Sequence, residues 1–152
     1  MSQPEKRRVG VGVGVVVTRD APGSNQVLLV QRRYHGARTW STVGGYIDPG
    51  ESPEASCVRE VREESGLTIR DPVFACLTND VHDDGKHNVT LWFTAEPDDP
   101  DEVPILSSES LAIGWFRWDE LPADRYLSFQ NYLEGPTWPA HRGGQRLPED
   151  GV

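Results

Sequence analysis

Residues 43–67, VGGYIDPGESPEASCVREVREESGL, hold a helix whose two ends are both written in the sequence. Ser52 is a good N-cap, because its hydroxyl can accept from an otherwise unpaired N–H of the first turn. Pro53 suits the first helical position, and Gly66 suits the left-handed position just past the end. The pattern predicts a helix over 53–65. At about 100° per residue, Glu60, Glu63 and Glu64 fall within an arc of roughly 100°. Val58 and Val61 lie on another side, available to a core. Three carboxylates on one arc repel, at roughly 0.2–0.5 kcal/mol per pair on an exposed helix. They also occupy the C-terminal half, where the helix dipole disfavours anions. A helix selected only for stability would place lysine or arginine here. A bound cation would reverse the balance, although Arg59 and Arg62 also fit a plain solvated face.

Outward from this helix the chain alternates strand-like runs and turns. Residues 9–18, VGVGVGVVVT, put valines on one face of a strand and Gly10, Gly12 and Gly14 on the other. The bare face suits close packing against a helix, or the approach of a ligand. The glycine spacing fits no dinucleotide-binding fingerprint. Residues 26–31, QVLLVQ, read as the second arm of a hairpin, and 41–50 as a loop leading to the helix. Extended runs follow at 67–70, 72–78, 88–95 and 113–118, and a last helix at 126–133 is stopped by Gly135-Pro136. Residues 1–8 and 139–152 are expected to be a flexible start and a loose tail around one domain, 9–138.

Composition limits the function classes. A chain of 152 residues with 36% hydrophobic residues can bury an ordinary single core. It has no long uncharged apolar run, and its charged first residues lack the apolar segment of a signal peptide, so no membrane partner is expected. Two cysteines, Cys57 and Cys76, match no paired metal-binding spacing. The expectation is a reduced, soluble, cytoplasmic domain. A formal charge of -9 repels phosphate backbones and argues against a nucleic-acid polymer as partner. It leaves room for a small phosphorylated ligand held through a cation.

Gly45, Glu51, Arg59, Glu60, Val61, Glu63, Glu64, Gly66 and Leu67 together satisfy GX5EX7REUXEEXGU, where U is a bulky aliphatic residue. This is the signature of the Nudix (MutT-like) hydrolases, and the chain resembles that family over about residues 9–136. The resemblance implies an α/β fold, a Nudix-type α/β/α sandwich with a mixed sheet between helices. It implies Mg²⁺-dependent hydrolysis of a nucleoside diphosphate-linked substrate, with Mn²⁺ as a substitute ion. Glu60, Glu63 and Glu64 would bind the metal, joined by the backbone carbonyl of Gly44. Glu51 and Arg59 would orient the site. A distal acid often completes such sites, and Glu109 is the candidate here, as metal ligand or base. One departure stands out: Val43 precedes the paired glycines where many relatives have proline. Hard Mg²⁺ suits this chemistry, being held by few carboxylates together with waters and substrate phosphates.

The subfamily signs are mostly absences. No SQPWPFP-like array of the NADH hydrolases and no coenzyme A motif are found. His82 and Asp83 occupy the neighbourhood of the ADP-ribose hydrolases' downstream proline, and the tyrosine of the dinucleoside polyphosphate hydrolases is missing. The stretches LTNDVHDDGKHNVTLWF and GWFRWDELP resemble the nucleoside triphosphate branch, including its pool-sanitising enzymes. The resemblance then implies a (d)NTP, intact or oxidised, cleaved to monophosphate and pyrophosphate. Trp40 and Phe129 are candidates for stacking on the base, and Asn79 and Gln130 for reading its edge. Arg32 and Arg33 are candidates for substrate phosphate. Trp92, Trp115 and Trp118 are assigned to the core. A nucleotide-sugar hydrolase and a non-catalytic nucleotide sensor stay open as alternatives, as does a homodimer.

Overall fold

The computed structural model describes residues 8–21, 24–134, 141–142 and 145–146. Its centre is a mixed sheet built around one long, bent strand, β1 (Gly10–Ala21). The first half of β1 runs parallel to β6 (His87–Ala95) and antiparallel to β4 (Val43–Tyr46). Its last residues turn away to pair with β2 (Ser24–Arg32), which continues the sheet to β7 (Ser110–Arg117) and to the short β3 (Trp40–Ser41). β5 (Val73–Val81) closes the other edge against β6, joined to it by a tight turn at Gly85. A small ribbon, β8 (His141–Arg142) with β9 (Gln145–Arg146), lies within the expected loose tail. The remainder of that tail, and residues 1–7 of the expected flexible start, fall outside the described residues.

The alternation in β1 sorts the two cores. Val13, Val15 and Val17 turn to one side and are buried with Leu28, Val43, Cys57, Val61 and Phe93 beneath helix α1 (Pro53–Ser65). The opposite side carries Val16, Val27, Leu29, Cys76 and Trp92 beneath helix α2 (Leu127–Glu134), whose Phe129 and Tyr132 are fully buried. Helices therefore cover both faces of a mixed sheet, the α/β arrangement expected. Cys57 and Cys76 are both buried, in different cores. No helix among the described residues is long and apolar enough to cross a membrane.

Three local readings change. The stretch read as a loop before α1 contains β4, whose glycines let it lie against β1; a Cβ at Gly44 would run into the carbonyl of Val13. At the glycines of β1 the nearest neighbours are strands, β4 and β6, rather than a helix. A Cβ at Gly14 would lie 2.6 Å from the indole of Trp92, and Gly12 and Gly14 form part of a cavity wall. On α1, Val58 is exposed, and Cys57 and Val61, four residues apart, make the buried stripe.

Candidate active site

Helix α1 has the ends its sequence specifies. The Ser52 hydroxyl accepts from the Ala55 N–H at 3.1 Å, and Gly66 takes φ 73° with its N–H on the Arg62 carbonyl. This fixes the phase at which the helix presents its charged residues. Arg59 gathers them. Its Nε and one terminal nitrogen donate to both oxygens of Glu51 at 2.8 and 2.9 Å, and its other terminal nitrogen donates to Glu60 at 2.8 Å and Glu63 at 3.3 Å. A further bond at 3.1 Å reaches the carbonyl of Tyr46 at the end of β4. Glu51 also accepts from the Ser56 hydroxyl and from the Asp48 N–H. The Arg59 guanidinium, then Ser56, hold the Glu51 carboxyl down at about 2. Glu51 first, and then Glu60, raise Arg59 further above its already high value.

Glu60 and Glu64 stand differently. Burial is the main influence on each, and it pushes Glu64 up to about 8 even though Glu64 accepts the Gly44 N–H at 2.9 Å. Glu60 is raised as well, with burial outweighing the Arg59 contacts. Glu60 and Glu109 oppose ionisation of Glu64 by like charge, and Glu63 and Glu109 do the same to Glu60. These hard oxygen donors, desolvated and mutually repelling, fit a hard divalent cation. Among the described residues no three His, Cys, Asp or Glu side chains enclose an ion by themselves.

Two hollows flank the carboxylates. The first, about 580 Å³ of empty space counting its open mouth, is floored by Gly12 and Gly14 and walled by Gly44, Asp80, His82, Trp92 and Tyr126 among others. Gly44 and Gly45 thus border this cavity while standing against the carboxylates: Gly44 bonds Glu64, and a Cβ at Gly45 would lie 2.5 Å from Glu60. The second hollow is lined by Arg32, Arg33, Tyr34, Glu64 and Glu109. Arg32 borders both hollows, its guanidinium 3.9 Å from the centre of the Tyr126 ring and its Nε on the His35 carbonyl. The rings of His35, His82 and Tyr126 lie 5.3–6.0 Å apart at this junction. Burial, then the Lys86 charge, lowers both imidazoles, and their Nε2 atoms are buried without a hydrogen-bond partner.

The structure brings together Gly44, Glu51, Arg59, Glu60, Glu63 and Glu64, and Glu109, Arg32 and Arg33 line the second hollow with Glu64. The four residues assigned to the base lie elsewhere. Phe129 is wholly enclosed by the core under α2, near Tyr132. Trp40 packs edge-on against Phe116 at 4.9 Å. Gln130 is bonded to Arg125 Nε at 2.6 Å. Asn79 is exposed and bonded to His87, because the inward phase of β5 is Cys76, Thr78 and Asp80. None of the four lines the cavity. Asp80, His82 and Tyr126, which do, were missed, and the two-residue period of β5 was the signal for Asp80. Trp92, assigned to the core, is buried and also forms cavity wall.

The NUDIX domain family model matches residues 8–133. A MutT-like protein of Streptomyces ambofaciens is 32% identical over 97% of this chain and 96% of its own length. An NAD-capped RNA hydrolase, NudC, of Stutzerimonas stutzeri is 34% identical over 76% of this chain, which spans only 39% of that protein. Among solved structures, a MutT NUDIX hydrolase from Burkholderia pseudomallei superposes with a TM-score of 0.72 at 26% identity, over 82% of this chain and 95% of the other.

Proposed function

The chain belongs to the Nudix family, whose members hydrolyse nucleoside diphosphate-linked substrates, and we propose that this hydrolase converts a nucleoside triphosphate to monophosphate and pyrophosphate in the cytoplasm. The observation that carries the proposal is the double role of β4. Gly44 and Gly45 back onto Glu64 and Glu60 while also bordering the cavity floored by β1. A base lodged in the cavity would send its phosphate chain toward the carboxylates over backbone that has no side chains to obstruct it.

Glu60, Glu63 and Glu64, with the Gly44 carbonyl, would hold Mg²⁺. When bound, such an ion neutralises phosphate charge and lowers the pKa of the attacking water. Arg59 sets the carboxylates' positions through its bonds to Glu60 and Glu63, and Glu51 fixes Arg59 from behind. Arg32 and Arg33 suit the phosphate oxygens. Glu109 lines the second hollow together with Glu64, where a carboxylate could take a proton from water.

A panel of nucleoside triphosphates, oxidised and methylated forms included, tested with Mg²⁺ and scored for monophosphate and pyrophosphate, checks the proposal. Turnover should disappear with a chelator and return with Mg²⁺ or Mn²⁺. Hydrolysis of dinucleotides alone would replace it with the reading that the similarity to NudC favours, so NADH and a nucleotide sugar belong in the same panel.

A further inference from the structure

Asp80 is a fully buried carboxylate on the wall of the first cavity. Its Oδ2 accepts from the Thr90 hydroxyl on β6 at 2.6 Å, and its Oδ1 accepts from the Asn131 amide on α2 at 2.9 Å. Both donors are neutral. None of the ion pairs among the described residues includes Asp80. Burying a carboxylate is costly unless hydrogen bonds or an opposite charge compensate it. A carboxylate has about four acceptor directions, and the two bonds use one on each oxygen. Among the described residues one acceptor direction per oxygen is then left without a hydrogen bond, on a group that lines the cavity.

A ligand edge with two N–H donors side by side fits that remainder. Of the common bases only guanine has such an edge, its ring N1–H next to its 2-amino group. Adenine and cytosine place an amino group beside a bare ring nitrogen, whose lone pair would face the carboxylate. Uracil and thymine flank one N–H with two carbonyl oxygens, which would do the same. Hypoxanthine keeps N1–H and lacks the amino group. Gly12 and Gly14 on the floor leave room for the flat body of a base, and Trp92, Tyr126 and His82 line the same walls. Resting on the reading of this cavity as the base site, we propose that Asp80, held by Thr90 and Asn131, reads the N1–H and 2-amino edge of guanine and makes guanine nucleotides the preferred substrates.

The test compares kcat/KM for dGTP, dITP, dATP, dCTP and dTTP with Mg²⁺, using the full chain and Asp80→Asn, together with calorimetric binding of dGMP and dIMP. Leaving a buried acceptor unpaired is penalised strongly, so the unaltered chain should favour dGTP over dITP by about tenfold or more. Asp80→Asn keeps the shape but presents one donor to the base, and should bring that ratio to within about threefold of unity. A dGTP preference that survives Asp80→Asn overturns the proposal. Where Asp80→Asn fails to fold, the unaltered chain decides alone, and equal use of dGTP and dITP overturns it. Triphosphates turned over without a guanine preference sink this inference and leave the proposed reaction standing. If only dinucleotides are hydrolysed, the reaction fails instead, and the dGMP-to-dIMP binding ratio still decides the role of Asp80.

Discussion

Arg59 and Asp80 are both ionic groups drawn largely out of water, and the two sides of the cleft satisfy them in opposite ways. Arg59 is surrounded by opposite charge from its own helix and the turn before it: Glu51, Glu60 and Glu63 all accept from it. Asp80 is held by a hydroxyl from β6 and an amide from α2, with no ion-pair partner among the described residues. The first arrangement fixes carboxylates in place and leaves a negative surplus for a cation. The second fixes an acceptor and leaves two of its directions for a ligand. On the proposed reading, general phosphate chemistry would reside in a short contiguous segment, while selectivity would be assembled from strands and a helix far apart in the chain.

The largest effect expected on the carboxylate side comes from Glu64→Gln. The amide keeps the shape and can still accept the Gly44 N–H, but removes a charge that burial and Glu60 oppose. Turnover should fall by roughly 10²- to 10³-fold, the scale on which a single electrostatic contributor to an active site acts. The thermal midpoint should hold or rise, because like-charge repulsion is relieved. Steady-state kinetics and a melting curve check both. Activity within tenfold of the unaltered chain would remove Glu64 from the metal site and blur the contrast with Asp80.

Glu51→Gln should act more mildly, because Glu51 works through Arg59. A loss of about 10- to 100-fold is expected for such a supporting residue, with a higher Mg²⁺ concentration needed for half-maximal rate. Stability gives an independent reading. Glu51 is held at about 2 in the folded chain against an ordinary value of 4.5. A depressed carboxylate stabilises the fold above its unfolded value and loses that contribution as pH falls through the folded one. The stability advantage over Glu51→Gln should therefore be full at pH 7 and shrink between about pH 4.5 and about 2. Denaturant melts along that range measure it, and a pH-independent difference would show that the Arg59–Glu51 pair does not act as an ion pair.

The same contrast explains what could be read without coordinates. α1 was legible because its caps and its charged arc lie in one continuous stretch, each at a spacing set by helix geometry. Its buried stripe was half legible, Val61 being buried as expected while Val58 is exposed and Cys57 is buried instead. The β2 and β6 runs were legible for a similar local reason. β4 was hidden because two glycines mid-strand carry no β-forming signal, and their reasons for being there are distant in the chain: the Val13 carbonyl behind Gly44 and the Glu60 carboxylate beside Gly45. The cavity was the hardest to read. Its walls come from β1, β4, β5, β6 and the start of α2, and no spacing rule connects them. Phe129 was assigned to the base because it is aromatic and near the last helix's start, but helix phase turns it to the core with Tyr132 three residues later.

Asn79→Ala should produce the smallest effect, and it tests the phase of β5 on which the comparison depends. Asn79 and Asp80 are consecutive, so their side chains leave opposite faces of the strand. Asn79 is exposed and bonded to His87, and Asp80 is enclosed. Removing the Asn79 amide should leave kcat/KM within about twofold and stability within about 0.5 kcal/mol, as for surface positions without special contacts. The ratio of dGTP to dITP should not move. A shift in that ratio would mean that the edge of the base is read from the other face of β5. A β-strand slipped by one residue exchanges its faces completely, so Asp80 would then lose its place on the cavity wall and Asn79 would take over the reading of the base.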